Sequence, residues 1–136
     1  MNRIAIVGGP RCGKTSFALE LYKELDLPLH CSDDLIGFFE WSELSDHIAV
    51  RMQTEDRWVW EGTAVVRALR KLINLTPNEI PCDKIYVFMR PYEILTREQA
   101  IMYKGIQTVC RDTLPVLKRK GIIIEDKSDW PTTKKI

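Results

Sequence analysis

From Arg3 to Leu25 the chain passes from an apolar run, Arg3-Ile4-Ala5-Ile6-Val7, through the octapeptide Gly8-Gly9-Pro10-Arg11-Cys12-Gly13-Lys14-Thr15 into an amphipathic segment. No other feature constrains the fold as strongly. The apolar run reads as a buried strand and Thr15 to Leu25 as a helix. The octapeptide between them fits G-x-x-x-x-G-K-[ST] without a mismatch, in the strand-to-helix setting that anion binding needs.

Each residue type in that loop has a physical use. Gly8 and Gly13 allow backbone turns that are costly for other residues, so successive N–H groups can converge on one phosphate at the positive end of a helix. Lys14 supplies a mobile cation for the outer phosphates, and the Thr15 hydroxyl suits the Mg2+ that accompanies a nucleoside triphosphate. The ATP-binding set read from the motif is Gly8, Gly9, Pro10, Arg11, Cys12, Gly13, Lys14, Thr15 and Ser16. Glycines that merely permit a tight turn are the plainer explanation; the Lys and Thr in their required places argue against it.

With 136 residues the chain is expected to form one domain, too short for a ring-forming motor ATPase. Its 20 Lys and Arg against 19 Asp and Glu do not demand a nucleic-acid partner, although a local basic cleft is compatible with that balance. Met1-Asn2 leads straight into the first strand without a secretory leader, and no apolar run approaches the roughly 20 residues of a membrane span, so a cytoplasmic protein with no membrane partner is expected. Cys12, Cys31, Cys82 and Cys110 show no metal-ligand spacing and are expected to be reduced thiols.

Strands and helices should alternate. Leu27–Cys31 reads as a second strand, ended by Ser32-Asp33-Asp34. A helix is expected over Glu40–Thr54, where Leu44, Ile48 and Met52 recur at four-residue spacing, and a third strand at Trp58-Val59-Trp60, ending at Glu61-Gly62-Thr63. Val65, Val66, Leu69, Leu72 and Ile73 make the apolar stripe of the next helix. Lys84 to Met89 is a further buried strand. The pattern then predicts a helical stretch from about Glu93 to Tyr103, an interruption at Gly105, and a second stretch towards Lys120 that Pro115 kinks or opens. Ile122-Ile123-Ile124 is the last strand. The expected fold is a three-layer αβα domain over residues 1–126, built on a parallel sheet of about five strands, with a loosely held polar tail over 127–136.

Ligands of such sheets bind at the carboxyl ends of the strands. Asp33 and Asp34 after the second strand, Glu61 after the third and Arg90 after the fourth should therefore rim one crevice. Acids placed there can orient Mg2+ or accept a proton from an attacking hydroxyl; capping the next helix is the plainer role for either aspartate. Arg67 and Arg70, three apart on one helix, are candidates for holding an anionic acceptor, and equally for a solvated face. Thr63 is expected to cap that helix. Phe38, Phe39 and Trp41 can stack on a nucleobase, whereas Trp58 and Trp60 read as core. His30 and His47 have no partner spacing and read as structural or surface residues.

The loop, the S-D-D after the second strand, the W-V-W-E-G-T segment and the arginine-bearing RPYEILTREQ segment together resemble the small P-loop kinases, closest to bacteriophage-type polynucleotide kinases and related nucleotide kinases. The likeness spans about Arg3 to Asp126. It implies a P-loop NTPase fold, Asp33 as general base, and Glu61 in the magnesium shell. It also implies a short helical lid from which Arg90 and Arg97 reach the transferred phosphoryl group; pairing of Arg97 with Glu93 is the plainer alternative. The resulting expectation is an ATP- and Mg2+-dependent phosphotransferase acting on a hydroxyl or phosphate acceptor, a nucleotide or a polynucleotide 5′ end. An ATP-binding switch or ATPase without an acceptor is the competing class. The N-K-x-D segment of guanine-reading switches is absent, and the one D-x-x-G match, Asp34 to Gly37, is a weak pattern. Oligomeric state is left open.

Overall fold

A computed structural model describes residues 1–131. Five strands, β1 (Arg3–Gly8), β2 (Leu29–Cys31), β3 (Trp58–Gly62), β4 (Lys84–Phe88) and β5 (Ile123–Asp126), form one sheet in the order β2-β3-β1-β4-β5. Every pairing is parallel. The central strand is apolar on both faces, as a parallel strand covered on each side must be: Ile4 and Ile6 point one way, Ala5 and Val7 the other, all buried.

Chain order and strand order together decide where the helices lie. Parallel crossovers are right-handed, so steps in opposite directions across the sheet put their helices on opposite faces. The step from β1 out to β2 runs one way and carries α1 (Lys14–Glu24). The steps β2 to β3, β3 to β4 and β4 to β5 run the other way, carrying α2 (Trp41–Thr54), α3 (Val65–Leu75) and α4 (Arg97–Arg119). Packing agrees: Ala18 and Leu21 of α1 meet Ile4, Ile6 and Phe88, while Leu44, Ile48 and Met52 of α2, Leu69 of α3 and Ile106 of α4 share the core of Ala5, Val7 and Trp60.

Several elements differ from the sequence reading. Strand β3 continues through Glu61 and Gly62, so Glu61 lies within the strand and not beyond it. No short helical lid forms from Glu93: α4 is one helix of 23 residues, and it starts at Arg97 because Thr96 and Gln99 close a capping box, with Thr96 N–H to Gln99 Oε1 at 3.0 Å and Gln99 N–H to Thr96 Oγ1 at 3.2 Å. Gly105 does not interrupt α4, and Pro115 lies inside it on the exposed side, where the carbonyl it leaves without a helical donor can turn to water. The final strand is shifted to Ile123–Asp126.

The C-terminal segment is held more firmly than a loose tail as far as it is described. Lys127 N–H donates to Val87 O at 2.8 Å, Met89 N–H to Ser128 Oγ at 3.0 Å, and the Trp130 ring packs edge-on against Phe17 at 5.4 Å. Trp130 thus covers part of the α1 face that a lone helix leaves open. Residues 132–136 of the expected tail lie outside the described residues.

Asp83 anchors the start of the central strand. Its Oδ2 accepts from the N–H groups of Asn2 at 2.9 Å and Arg3 at 3.0 Å, and these bonds hold its carboxyl below the ordinary value of 3.8. A depressed carboxylate stabilises the fold above its unfolded pKa and loses that contribution as pH falls through the lower folded value. Asp83→Asn should therefore lower the melting temperature at pH 7, with the gap to the parent closing as pH drops below about 3.8; equal melting temperatures across that range would show that the anchor is idle.

Candidate functional site

At the carboxyl edge of the sheet, β1 passes through the glycine loop into α1. Gly13, the residue before the helix, is in the left-handed conformation (φ 94°) and caps α1 without a side chain, leaving the first-turn N–H groups facing outward. Arg11 in the same loop also has positive φ, 58°. These residues line a cleft of about 320 Å3 with Pro10, Cys12, Lys14, Thr15, Ser16, Asp33, Tyr92 and Gln99.

Thr15 in the first turn of α1 faces the end of β3, because β3 is hydrogen-bonded beside β1. Its hydroxyl donates to Glu61 Oε1 at 3.1 Å. Glu61 is 1% exposed, and its Oε2 is buried without a hydrogen-bond partner. Burial drives its carboxyl above the ordinary range and Asp33 adds to the rise, against the hydrogen bond from Cys31, the charge of Lys14 and the bond from Thr15. The neighbouring Cys31 thiol is pushed up to about 12, by burial first and Glu61 second. Lys14 is 5% exposed and its Nζ donates to the Gly9 carbonyl, folding back over its own loop.

This donor set fits Mg2+. The ion takes hard oxygen ligands in an octahedron at about 2.0–2.1 Å, which puts neighbouring ligands about 3 Å apart, and it is usually completed by water and phosphate. Thr15 Oγ1 and Glu61 Oε1 have that spacing, and the orphaned Oε2 lacks a hydrogen-bond partner. Among the described residues no cluster of three or more His, Cys, Asp or Glu side chains forms a metal cage, so these two oxygens suit an ion that brings other ligands with it.

Asp33 lies in a short 3-10 turn, Ser32–Leu35, directly after β2. Neither Asp33 nor Asp34 caps α2, whose preceding residue is Glu40. Asp33 Oδ1 instead accepts from Thr63 N–H at 3.1 Å and Thr63 Oγ1 at 2.9 Å, and its carboxylate lines the cleft. Thr63 therefore aims Asp33 and does not cap α3, where Ala64 stands at the cap. Gly62 makes this approach feasible: a Cβ there would come 1.9 Å from Ser32 Oγ and 3.1 Å from Asp33 Oδ1. Asp34 is exposed in the same turn.

The arginines are distributed otherwise than expected. Among the described residues Arg90 and Arg97 do not line the cleft: Arg90 forms an ion pair with Asp129 at 2.6 Å, and Arg97 is exposed at the start of α4. Glu93 pairs not with Arg97 but with Arg11 at 2.9 Å, and Tyr92 N–H donates to Arg11 O at 2.8 Å, so the segment before α4 is tied to the glycine loop. Arg67 and Arg70 lie on α3; Arg67 is half-buried with its guanidinium carbon 5.7 Å from the Trp41 ring centroid, and Arg70 is exposed. Trp58 and Trp60 are core, whereas Phe38 is 79% and Trp41 41% exposed. His30 packs at a tilt against Trp60, and His47 stacks on Phe39. Sequence reasoning missed Tyr92, Gln99 and the aiming role of Thr63; the T-x-x-Q capping signal at Thr96 could have located Gln99.

The chain matches no family model and no curated protein. Among the described residues no helix is long and apolar enough to cross a membrane.

A buried carboxylate without a full set of partners costs stability when nothing neutralises it. Glu61→Gln keeps an oxygen for Thr15 and removes the charge. It should stabilise the free protein by about 1–2 kcal/mol, read in scanning calorimetry as a higher melting temperature, whereas a lower melting temperature would mean that Glu61 already has its charge compensated within the fold.

Proposed function

We propose that the protein is an ATP-dependent phosphotransferase built as a P-loop NTPase. The observation that carries this reading is the Thr15–Glu61 oxygen pair, an open hydroxyl at the first turn of α1 against a buried carboxylate, set at the same edge of the sheet as Lys14 and Asp33. A strand, glycine loop and helix with an acid on the neighbouring parallel strand is the arrangement that a magnesium-bound triphosphate requires.

In this reading the triphosphate lies along Gly8 to Thr15 and receives the outward N–H groups of the first turn of α1. Lys14 leaves the Gly9 carbonyl for an outer phosphate oxygen. Thr15 and Glu61 would hold the Mg2+, which would supply positive charge against that of the triphosphate. Asp33, aimed by Thr63, takes the proton of the acceptor hydroxyl as that oxygen bonds to the γ-phosphorus. The bond from the γ-phosphorus to the β–γ bridging oxygen breaks, and ADP leaves with the electron pair. Arg11 already lines the cleft; Arg90 and Arg97 take part only through a movement of the segment between β4 and α4.

Transfer of labelled γ-phosphate from ATP to nucleosides, mononucleotides or 5′-hydroxyl oligonucleotides tests the proposal. Asp33→Asn should lower transfer about 10²- to 10⁴-fold while leaving Mg-ATP affinity largely intact. Lys14→Ala should lower it about 10²- to 10³-fold. Label recovered only as free phosphate would favour an ATPase or switch, and undiminished transfer in either variant would remove that residue from the mechanism.

A further inference from the structure

A second cleft, of about 500 Å3, is lined by Trp41 at the start of α2, Arg67 on α3, and Glu98, Ile101, Met102 and Gly105 on α4. Its lining comes next in sequence to that of the first cleft at the start of α4. Glu98 lines one and its neighbour Gln99 the other, and Arg67 lies in the first turn of α3, one turn beyond the Thr63 that aims Asp33.

Arg67 and Glu98 both line this cleft, yet no ion pair joins them. Arg67 is half-buried, and among the described residues no carboxylate lies within ion-pair distance of it; its contact is the Trp41 ring. Arg70, three residues on, adds a like charge, and burial together with that charge lowers the guanidinium's hold on its proton. A cation kept in such a place without a counter-ion lacks the partner that would offset its desolvation. The helix opposite is shaped around it. Gly105 stands in the interior of α4, where glycine is unfavourable, and a Cβ there would come 3.0 Å from Arg67 Nη2.

We propose that this cleft binds the phosphoryl acceptor, and that the acceptor is a mononucleotide: a flat ring carrying an anionic group. The indole of Trp41 and the guanidinium plane offer stacking surfaces, and Ile101 and Met102 an apolar wall. The guanidinium fork matches two phosphate oxygens, and the Glu98 carboxylate can accept from an exocyclic amine of the base. A longer strand fits less well, because backbone binding draws on several cations, whereas this cleft holds Arg67 with Arg70 nearby and the acid Glu98, and Trp41 is flanked in sequence by Glu40 and Glu43. The use of the site rests on the phosphotransfer reading; its existence rests on Arg67, Trp41 and Gly105.

Calorimetric titration with 5′-AMP, 3′-AMP, adenosine, ribose 5-phosphate and a short 5′-hydroxyl oligonucleotide, with a non-hydrolysable ATP analogue and Mg2+ at saturation, tests the assignment. At least one mononucleotide should bind about tenfold or more tightly than adenosine or ribose 5-phosphate. Arg67→Gln should erase the advantage over adenosine and Trp41→Leu that over ribose 5-phosphate, with affinity for the ATP analogue unchanged. Gly105→Ala should raise the melting temperature, since alanine favours the helix, while weakening the mononucleotide about threefold, which separates loss of the site from loss of the fold. The assignment is overturned if mononucleotides bind no better than the fragments, if the oligonucleotide binds more tightly, or if the variants weaken the analogue equally. Failure of the analogue itself to bind would sink the phosphotransfer reading, while the mononucleotide pattern would still decide this one.

Discussion

Everything at the carboxyl edge of the sheet depends on β1 lying between β3 and β4. Because β3 is its neighbour, the first turn of α1 meets Glu61, and a 3.1 Å hydrogen bond joins Thr15 to a buried carboxylate 46 residues away. Because β4 is its other neighbour, Gly9 N–H reaches the Phe88 carbonyl at 3.2 Å, and the segment after β4 runs over the loop. One reversal in the direction of strand-to-strand steps sends α1 to one face and α2, α3 and α4 to the other. That reversal opens the crevice in which Lys14, Thr15 and Asp33 converge.

Three charged groups stand where burial is costly: Glu61, Lys14 and, to a lesser degree, Arg67. Proteins of this size are stable by only about 5–15 kcal/mol, and one uncompensated buried charge can consume several of them. Glu61 and Lys14 partly answer each other across the loop, yet Glu61 Oε2 keeps no hydrogen-bond partner, and Arg67 faces a ring instead of an acid. The fold supports these groups at a cost to itself. That cost makes sense if an ion and an anionic ligand complete them, which is the physical basis of both proposals.

Much of the architecture was legible in the order of apolar and polar segments. The flanking strand and helix of the octapeptide, the four-residue spacing of Leu44, Ile48 and Met52, and the stripe on α3 correspond to β1, α1, α2 and α3 within a residue or two. The region after β4 was misread because Gly105 and Pro115 were weighed by intrinsic propensity, while burial of Ile106, Val109, Cys110 and Leu117 along one side holds α4 continuous across both. The Thr96–Gln99 box was present in the sequence as T-R-E-Q, and it stops the helix from reaching Glu93. Thr63 was misassigned for a different reason: a hydroxyl before a helix suggests a cap, but parallel pairing of β2 with β3 brings Asp33 within 2.9 Å and takes that hydroxyl.

By itself, then, the sequence determined what depends on neighbours along the chain: the strand, the glycine turn, the helix, and the residue types offered at each strand end. Tertiary structure alone decided which of those residues meet. Glu61 faces Thr15 through the pairing of β1 with β3, Arg90 is drawn to Asp129 by the pairing of β4 with β5, and Arg67 fits against α4 where Gly105 leaves room. Periodicity reports which side of an element is apolar. Only the pairing of strands and the handedness of their crossovers determine what that side, and the polar residues at its end, will face.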